Sequence, residues 1–269
     1  MGLVLSRRKG HIVGKAFTLL EVMLSLFAIT IIAFLGRKLI SAASNNTQSI
    51  EETKVICREL NTILTYINDD LEAMVLLDKK QLVFEICKHK DDDGFKLFFF
   101  TTNNEQHITT AVQYNITELE FGKIEISRIT LDSDATLSFQ KLLTINSSME
   151  KFFEEVDDKS KHIHKFSIPL SDFKIRVAIK TYNENTVFIA PNSKMMYSRG
   201  VLSYEKNSKS ISIMGNLSFF DVTLRALSKS DAMKLRALVT KDIRKAKDFL
   251  ISYARSSFAR IVPNSMPFQ

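Results

Sequence analysis

Residues 17–74 read FTLLEVMLSLFAITIIAFLGRKLISAASNNTQSIEETKVICRELNTILTYINDDLEAM, and this stretch decides the fold. Its first twenty residues, 17–36, carry one charge, Glu21. As a helix rising about 1.5 Å per residue, such a run spans roughly 30 Å, about one bilayer core. Arg37 and Lys38 follow at once, and Arg7, Arg8, Lys9 and Lys15 precede it. That asymmetry favours residues 1–16 on the cytoplasmic side and everything after about residue 40 outside. The helical pattern continues past Arg37, because no Gly or Pro interrupts 37–77. Ile50, Cys57, Leu64 and Leu71 form one row of sevens, and Leu60, Ile67 and Met74 another. The spacing predicts one helix over about 17–75, more than about 80 Å long if unbroken. Its second half suits a helix laid against a sheet better than a coiled coil, which needs more heptads and flanking charge pairs.

A cleaved secretory signal fits poorly. Its apolar region should be shorter and should end in a small-x-small site, for which Ala42-Ala43-Ser44 is the nearest match. Glu21 is the sharper clue. A carboxylate inside a membrane run is costly unless it finds a partner, although near the end of the run it can also snorkel to the headgroups.

The string Lys15-Ala16-Phe17-Thr18-Leu19-Leu20-Glu21-Val22 resembles the leader motif of type IV prepilins and type II secretion pseudopilins. The resemblance implies cleavage between Ala16 and Phe17 by a membrane prepilin peptidase and N-methylation of Phe17. It implies that Glu21, fifth in the mature chain, pairs with the terminal amine of a neighbouring subunit. Such pairing would reduce the cost of burying either charge alone. The family prefers Gly before the cut, and this chain has Ala16. Residues 57–74 (CRELNTILTYINDDLEAM) also resemble the matching helix of J-type minor pseudopilins. The implied protein is a structural subunit and not an enzyme. It would be a single-pass protein of the bacterial inner membrane, with a periplasmic head. Its partners would be the peptidase, other pilin or pseudopilin subunits, the inner-membrane assembly platform and membrane lipid. The chain beyond residue 16 is longer than a typical major pilin, which implies a minor subunit near a filament tip. Two alternatives stand beside it: a signal-anchored protein of unknown activity, and a DNA-binding minor pilin of an uptake system.

The rest of the chain predicts an α+β fold, with a β-rich head over 76–269. Eight Gly, four Pro and two Cys in 269 residues exclude collagen-like chains, disulfide scaffolds and Cys-rich zinc modules. Period-two stretches predict strands over 82–87, 96–101, 108–114, 116–121, 123–131, 135–143, 173–181, 186–190, 201–205, 210–214 and 216–227. Residues 146–162 read as a loop or short helix and 192–199 as a loop. Ser228 or Ser230 then caps a basic amphipathic helix running to about 259.

The net charge of +7 is uneven: +4 lies in 1–16 and +7 in 225–260, so the remainder is −4. A uniformly basic nucleic-acid binder would look different, and no run of interleaved basic and aromatic residues appears. The acidic turn at Lys88–Gly94 (KHKDDDG) lacks the spacing of a calcium loop. His162 and His164 share a strand face without further ligands nearby, so neither a metal nor any other cofactor is expected. No nucleotide-binding or hydrolase motif occurs. Cys57 and Cys87 allow either a helix–strand disulfide worth roughly 3 kcal/mol or two separate thiols.

Overall fold

The computed structural model describes residues 18–75, 82–88, 94–103, 108–142, 148–166, 170–191, 194–198, 200–206 and 209–263. The fold is α+β. The helix α1, Leu19–Glu72, is followed, among the described residues, by a large antiparallel sheet and four further α-helices, two of them late in the chain. The chain forms two compact units, Met1–Glu51 and Glu52–Gln269.

Among the described residues of the second unit, eleven strands form one sheet. They are β1 (Leu82–Lys88), β2 (Phe95–Asn103), β3 (Ile108–Glu120), β4 (Lys123–Leu131), β5 (Lys161–Lys165), β6 (Asp172–Thr181), β7 (Thr186–Ile189), β8 (Met195–Ser198), β9 (Val201–Lys206), β10 (Lys209–Ala226) and β11 (Arg255–Ile261). Their order is β5-β4-β3-β2-β1-β8-β9-β10-β6-β7, with β11 added alongside β10. Although β4 and β6 lie near opposite ends of this order, Ile124 and Leu170 exchange backbone hydrogen bonds of 2.6 and 2.8 Å. The sheet therefore curls around the covered face of α1. Ile56, Leu60, Ile63, Ile67 and Leu71 of α1 pack with Phe84, Leu97, Phe99, Val112, Phe220 and Val222 in one core.

The covered face of α1 is rotated from the one the sequence predicts. The row Leu60, Ile67 and Met74 is buried as expected. Of the other predicted row, Leu71 is buried and Leu64 packs half-buried against the core, but Ile50 and Cys57 are exposed, and Ile56, Ile63 and Asp70 form a further buried row. Asp70 carries a charge into this core and is paired there. Arg128 of β4 donates to it through Nε at 2.6 Å and Nη2 at 2.8 Å, and Tyr114 of β3 donates its hydroxyl at 2.5 Å. Burial, and next the Asp70 carboxylate, hold the Tyr114 hydroxyl well above its ordinary pKa, so it stays a donor.

The opposite face of β1 and β2 carries a second core. Cys87, Phe98, Phe100, Ala111 and Leu131 meet Met149 and Phe153 of α3, Met149–Glu155. Buried Glu85 anchors this helix. It accepts from Met149 N at 2.6 Å and Ser148 Oγ at 3.1 Å, and pairs with Lys194 at 2.8 Å.

Several sequence expectations need correction. Residues 135–143, expected as a strand, lie largely in helix α2, Ser133–Leu142, which Asp132 opens by accepting from Ala135 N at 2.8 Å. The loop expected at 192–199 contains β8, whose Met195 and Tyr197 are buried between β1 and β9. The predicted breaks near 115 and 215 vanish into the single strands β3 and β10. The single C-terminal helix is instead α4 (Lys229–Val239), α5 (Ile243–Tyr253) and β11. Ser228 caps α4 as expected, accepting from Asp231 N at 3.1 Å. Asp242 starts α5 by accepting from Arg244 N and Lys245 N at 2.9 and 3.2 Å, which divides the run. The Lys88–Gly94 turn falls largely outside the described residues.

Gly215 marks the point where β10, paired with β9 through Met214, takes up β6 as a partner, with β11 joining from Phe220 onward. A Cβ there would lie 2.5 Å from the Lys180 carbonyl oxygen, so the close approach requires glycine. Tyr197 fixes the same point, donating its hydroxyl to Gly215 O at 3.2 Å and accepting from Leu217 N at 3.1 Å.

Removing the buried charge partner should cost more than removing the neutral one. In urea melts of the detergent-solubilised chain, Asp70→Ala is expected to destabilise by about 3 kcal/mol, leaving Arg128 unpaired. Tyr114→Phe is expected to cost about 1 kcal/mol. Equal losses would contradict this account.

Candidate functional site

The candidate site is the start of α1. Thr18 stands just before the helix, and its Oγ1 accepts from Glu21 N at 3.3 Å. Glu21 Oε2 accepts in return from Thr18 N at 2.9 Å and Thr18 Oγ1 at 3.1 Å. This reciprocal arrangement is a capping box, which satisfies two donors that a helix start leaves open. It also sets the carboxylate at the positive end of the helix dipole. Among the described residues both contacts fall on Oε2, which leaves acceptor capacity on Oε1 for a cation or donor from elsewhere. The Thr-x-x-Glu spacing at 18–21 is legible in the sequence, but Thr18 is overlooked when Glu21 is read only as an intramembrane charge. Ala16 and Phe17, the predicted cleavage and methylation positions, lie outside the described residues.

The apolar run that follows is bare. Leu20, Met23, Leu24, Phe27, Ile32 and Leu39 are all exposed in the isolated chain. Among the described residues, α1 is the one helix long and apolar enough to cross a membrane. The Lys38 ammonium lies 4.9 Å from the Phe34 ring centroid, one helical turn away.

The cysteines do not form the helix–strand staple allowed by the sequence. Both are free, with Cys57 exposed and Cys87 buried. The reason is the pleat of β1. Phe84 and Ile86 face α1, whereas Glu85 and Cys87 face α3. A sheet therefore separates Cys87 from the helix that carries Cys57. Cys87 donates to Glu85 at 3.3 Å. Burial, and next the nearby Glu85 and Glu150 carboxylates, push the Cys87 thiol far above its ordinary pKa. It is an inert thiol in the sense of nucleophilic chemistry.

His162 and His164 sit on β5, a strand that begins inside the stretch 146–162 expected as a loop or short helix. His164 packs against Phe166 at 4.8 Å and Tyr66 at 5.4 Å between ring centroids. Among the described residues, no three His, Cys, Asp or Glu side chains form a group able to hold a metal ion. Comparisons with family models, with curated proteins and with solved structures found no match to this chain.

Alkylation tests the thiol assignment. Iodoacetamide at pH 8 should add one group to the native, unreduced chain, at Cys57, and a second only after denaturation. Two groups appearing only after reduction would establish the disulfide instead.

Proposed function

We propose that this chain is a minor pseudopilin or pilin-like structural subunit. In this reading a prepilin peptidase removes residues 1–16, Phe17 becomes the methylated N-terminus, and the subunit joins a type II secretion or pilus-like filament near its tip. The leader faces the cytoplasm and the β-rich head faces the periplasm. The subunit works through other pilin-like subunits and the inner-membrane assembly platform, not through catalysis.

One observation carries the reading. The string Lys15-Ala16-Phe17-Thr18-Leu19-Leu20-Glu21 opens a bare apolar helix whose later turns form the spine of an antiparallel head. An apolar face of this kind must be covered by lipid or by like helices. Glu21 supports the reading because its Oε2 is held in the capping box while Oε1 keeps acceptor sites for a neighbouring terminal amine. Pairing a carboxylate with an ammonium in an apolar filament core offsets part of the desolvation cost of both and fixes subunit register.

Two measurements test this. The intact mass of protein from its native membrane should begin at N-methylated Phe17, and that form should disappear without the peptidase. A Met1 start would make residues 17–36 a permanent anchor and overturn the proposal. A start near residue 44 would make the head a secreted domain. The second measurement separates capping from charge pairing. Glutamine at the third helical position retains a capping box but carries no charge. Glu21→Gln and Glu21→Ala should both be processed. Both should lose cross-linked multimers by more than about tenfold, the change corresponding to about 1.4 kcal/mol. Normal assembly of Glu21→Gln would show that capping alone suffices.

A further inference from the structure

The outer face of the sheet is covered over β1 and β2 by α3, but no described helix covers it over β6, β10 and β11. Phe220, Val222 and Leu224 of β10 face α1, so Asp221, Thr223 and Arg225 point the other way. Strand register aligns their neighbours in rows. Phe188 of β7 and Phe219 of β10 flank Ala178. In the next row Arg176 of β6 and Arg260 of β11 flank Asp221. Then Lys174 and Phe258 flank Thr223.

The middle row is the built part. Asp221 is 1% exposed, yet the arginines paired with it are 54% and 53% exposed. Arg176 donates to it at 2.9 Å, and Arg260 donates through Nε at 2.9 Å and Nη2 at 3.4 Å. Arg260 lies 4.2 Å from the Phe219 ring centroid and Arg176 lies 5.4 Å from that of Phe188. The two rings are themselves in edge contact at 5.7 Å. Buried carboxylate and rings thus fix both guanidinium planes, while most of their five N–H donors face outward. With Lys174, Lys180 and Arg225 the face holds five cations against Asp172 and Asp221, a net charge of +3. Beside it lies a cleft of about 380 Å³ lined by Phe95, Phe173, Lys174, Arg176, Pro191 and Asp221 among others.

We infer that this face docks a different protein through a segment bearing carboxylates around an apolar side chain. Preoriented arginines beside exposed aromatics are the side chains that concentrate binding energy in protein interfaces. Net positive charge selects an acidic segment, and the cleft takes its apolar anchor. Nucleic acid suits the face less well. Two carboxylates lie among the cations, and guanidinium groups already occupy the Phe188 and Phe219 faces that bases would stack on. The inference does not depend on cleavage after Ala16.

The test places a benzophenone photo-crosslinker at Phe258, which is exposed at the edge of the patch, in the full chain in its native membrane. Ile251 of α5, also exposed and outside the patch, carries the control probe. The expected product from position 258 alone is a cross-link to one other protein, through a peptide of net negative charge. Arg176→Gln leaves Asp221 its bidentate partner Arg260, and Lys174→Glu leaves Asp221 untouched. Each should lower the cross-link yield by about tenfold, with an unchanged melting temperature to exclude unfolding. A product that is nucleic acid, lipid or a second copy of this chain overturns the inference. So does a partner peptide without excess acid, a yield indifferent to both substitutions, or no product. Because the N-terminal mass is read separately, failure here is distinguishable from failure of the filament proposal.

Discussion

Asp70 is the one charged side chain on the covered face of α1, and the placement of the helix on its sheet depends on it. Apolar contacts alone resist burial of the wrong face but tolerate sliding by a turn, because Leu and Ile substitute well for one another as neighbours. A bidentate guanidinium does not slide. With Arg128 at 2.6 and 2.8 Å and the Tyr114 hydroxyl at 2.5 Å, only one axial and rotational position satisfies the buried carboxylate. The pair adds little net stability relative to an apolar replacement, and its contribution is to specify position. It also accounts for the rotated face. Burying Asp70 buries Ile63 and Ile56, which lie seven and fourteen residues earlier, and turns Cys57 outward.

The same device recurs on the other side of the sheet. Glu85 is fully buried and holds Met149 N, Ser148 and Lys194, so α3 has a defined seat over β1 and β2. Asp221 is the third buried carboxylate of this kind, but its partners reach solvent instead of a helix. Two of the three therefore join layers of the fold. The third shapes a surface with no second layer among the described elements. That contrast, more than the exposure of any single aromatic residue, marks the outer face of β6, β10 and β11 as unfinished in the isolated chain.

Much of the architecture is legible in the sequence because it rests on local signals. The apolar run beginning at Leu19, the strands at 82, 95, 123, 172 and 186, and the cap at Ser228 all announce themselves by composition or period. Two of the failures, at β8 and β11, share one physical cause: tertiary pairing overrides local preference. Met195–Ser198 is only four residues long and too short to stand out, yet it completes the sheet between β1 and β9. Residues 255–261 continue a helical spacing but carry Ser256, Ser257 and Phe258, and the open edge of β10 captures them as a strand. At the candidate site, Glu21 is legible from charge in an apolar run, while Thr18 is legible only when the helix start is considered as a hydrogen-bonding problem.

Charge illustrates the limit of linear reading most directly. Residues 225–260 hold a net +7 and suggest one basic surface. The fold divides it. Arg225 turns to Asp172 at 3.6 Å, Arg236 to Glu120 at 2.7 Å, Lys234 to Asp231 at 2.9 Å and Arg260 to Asp221. The cations on β10 and β11 join Lys174, Arg176 and Lys180, which lie outside the basic segment. Recognition chemistry on this face is therefore a property of strand register. A substitution that shifts β10 by one residue would send Asp221 toward α1 and dismantle both the core and the arginine pair. Gly215 and Tyr197, which hold β10 where its partners change, thus support the surface without touching it.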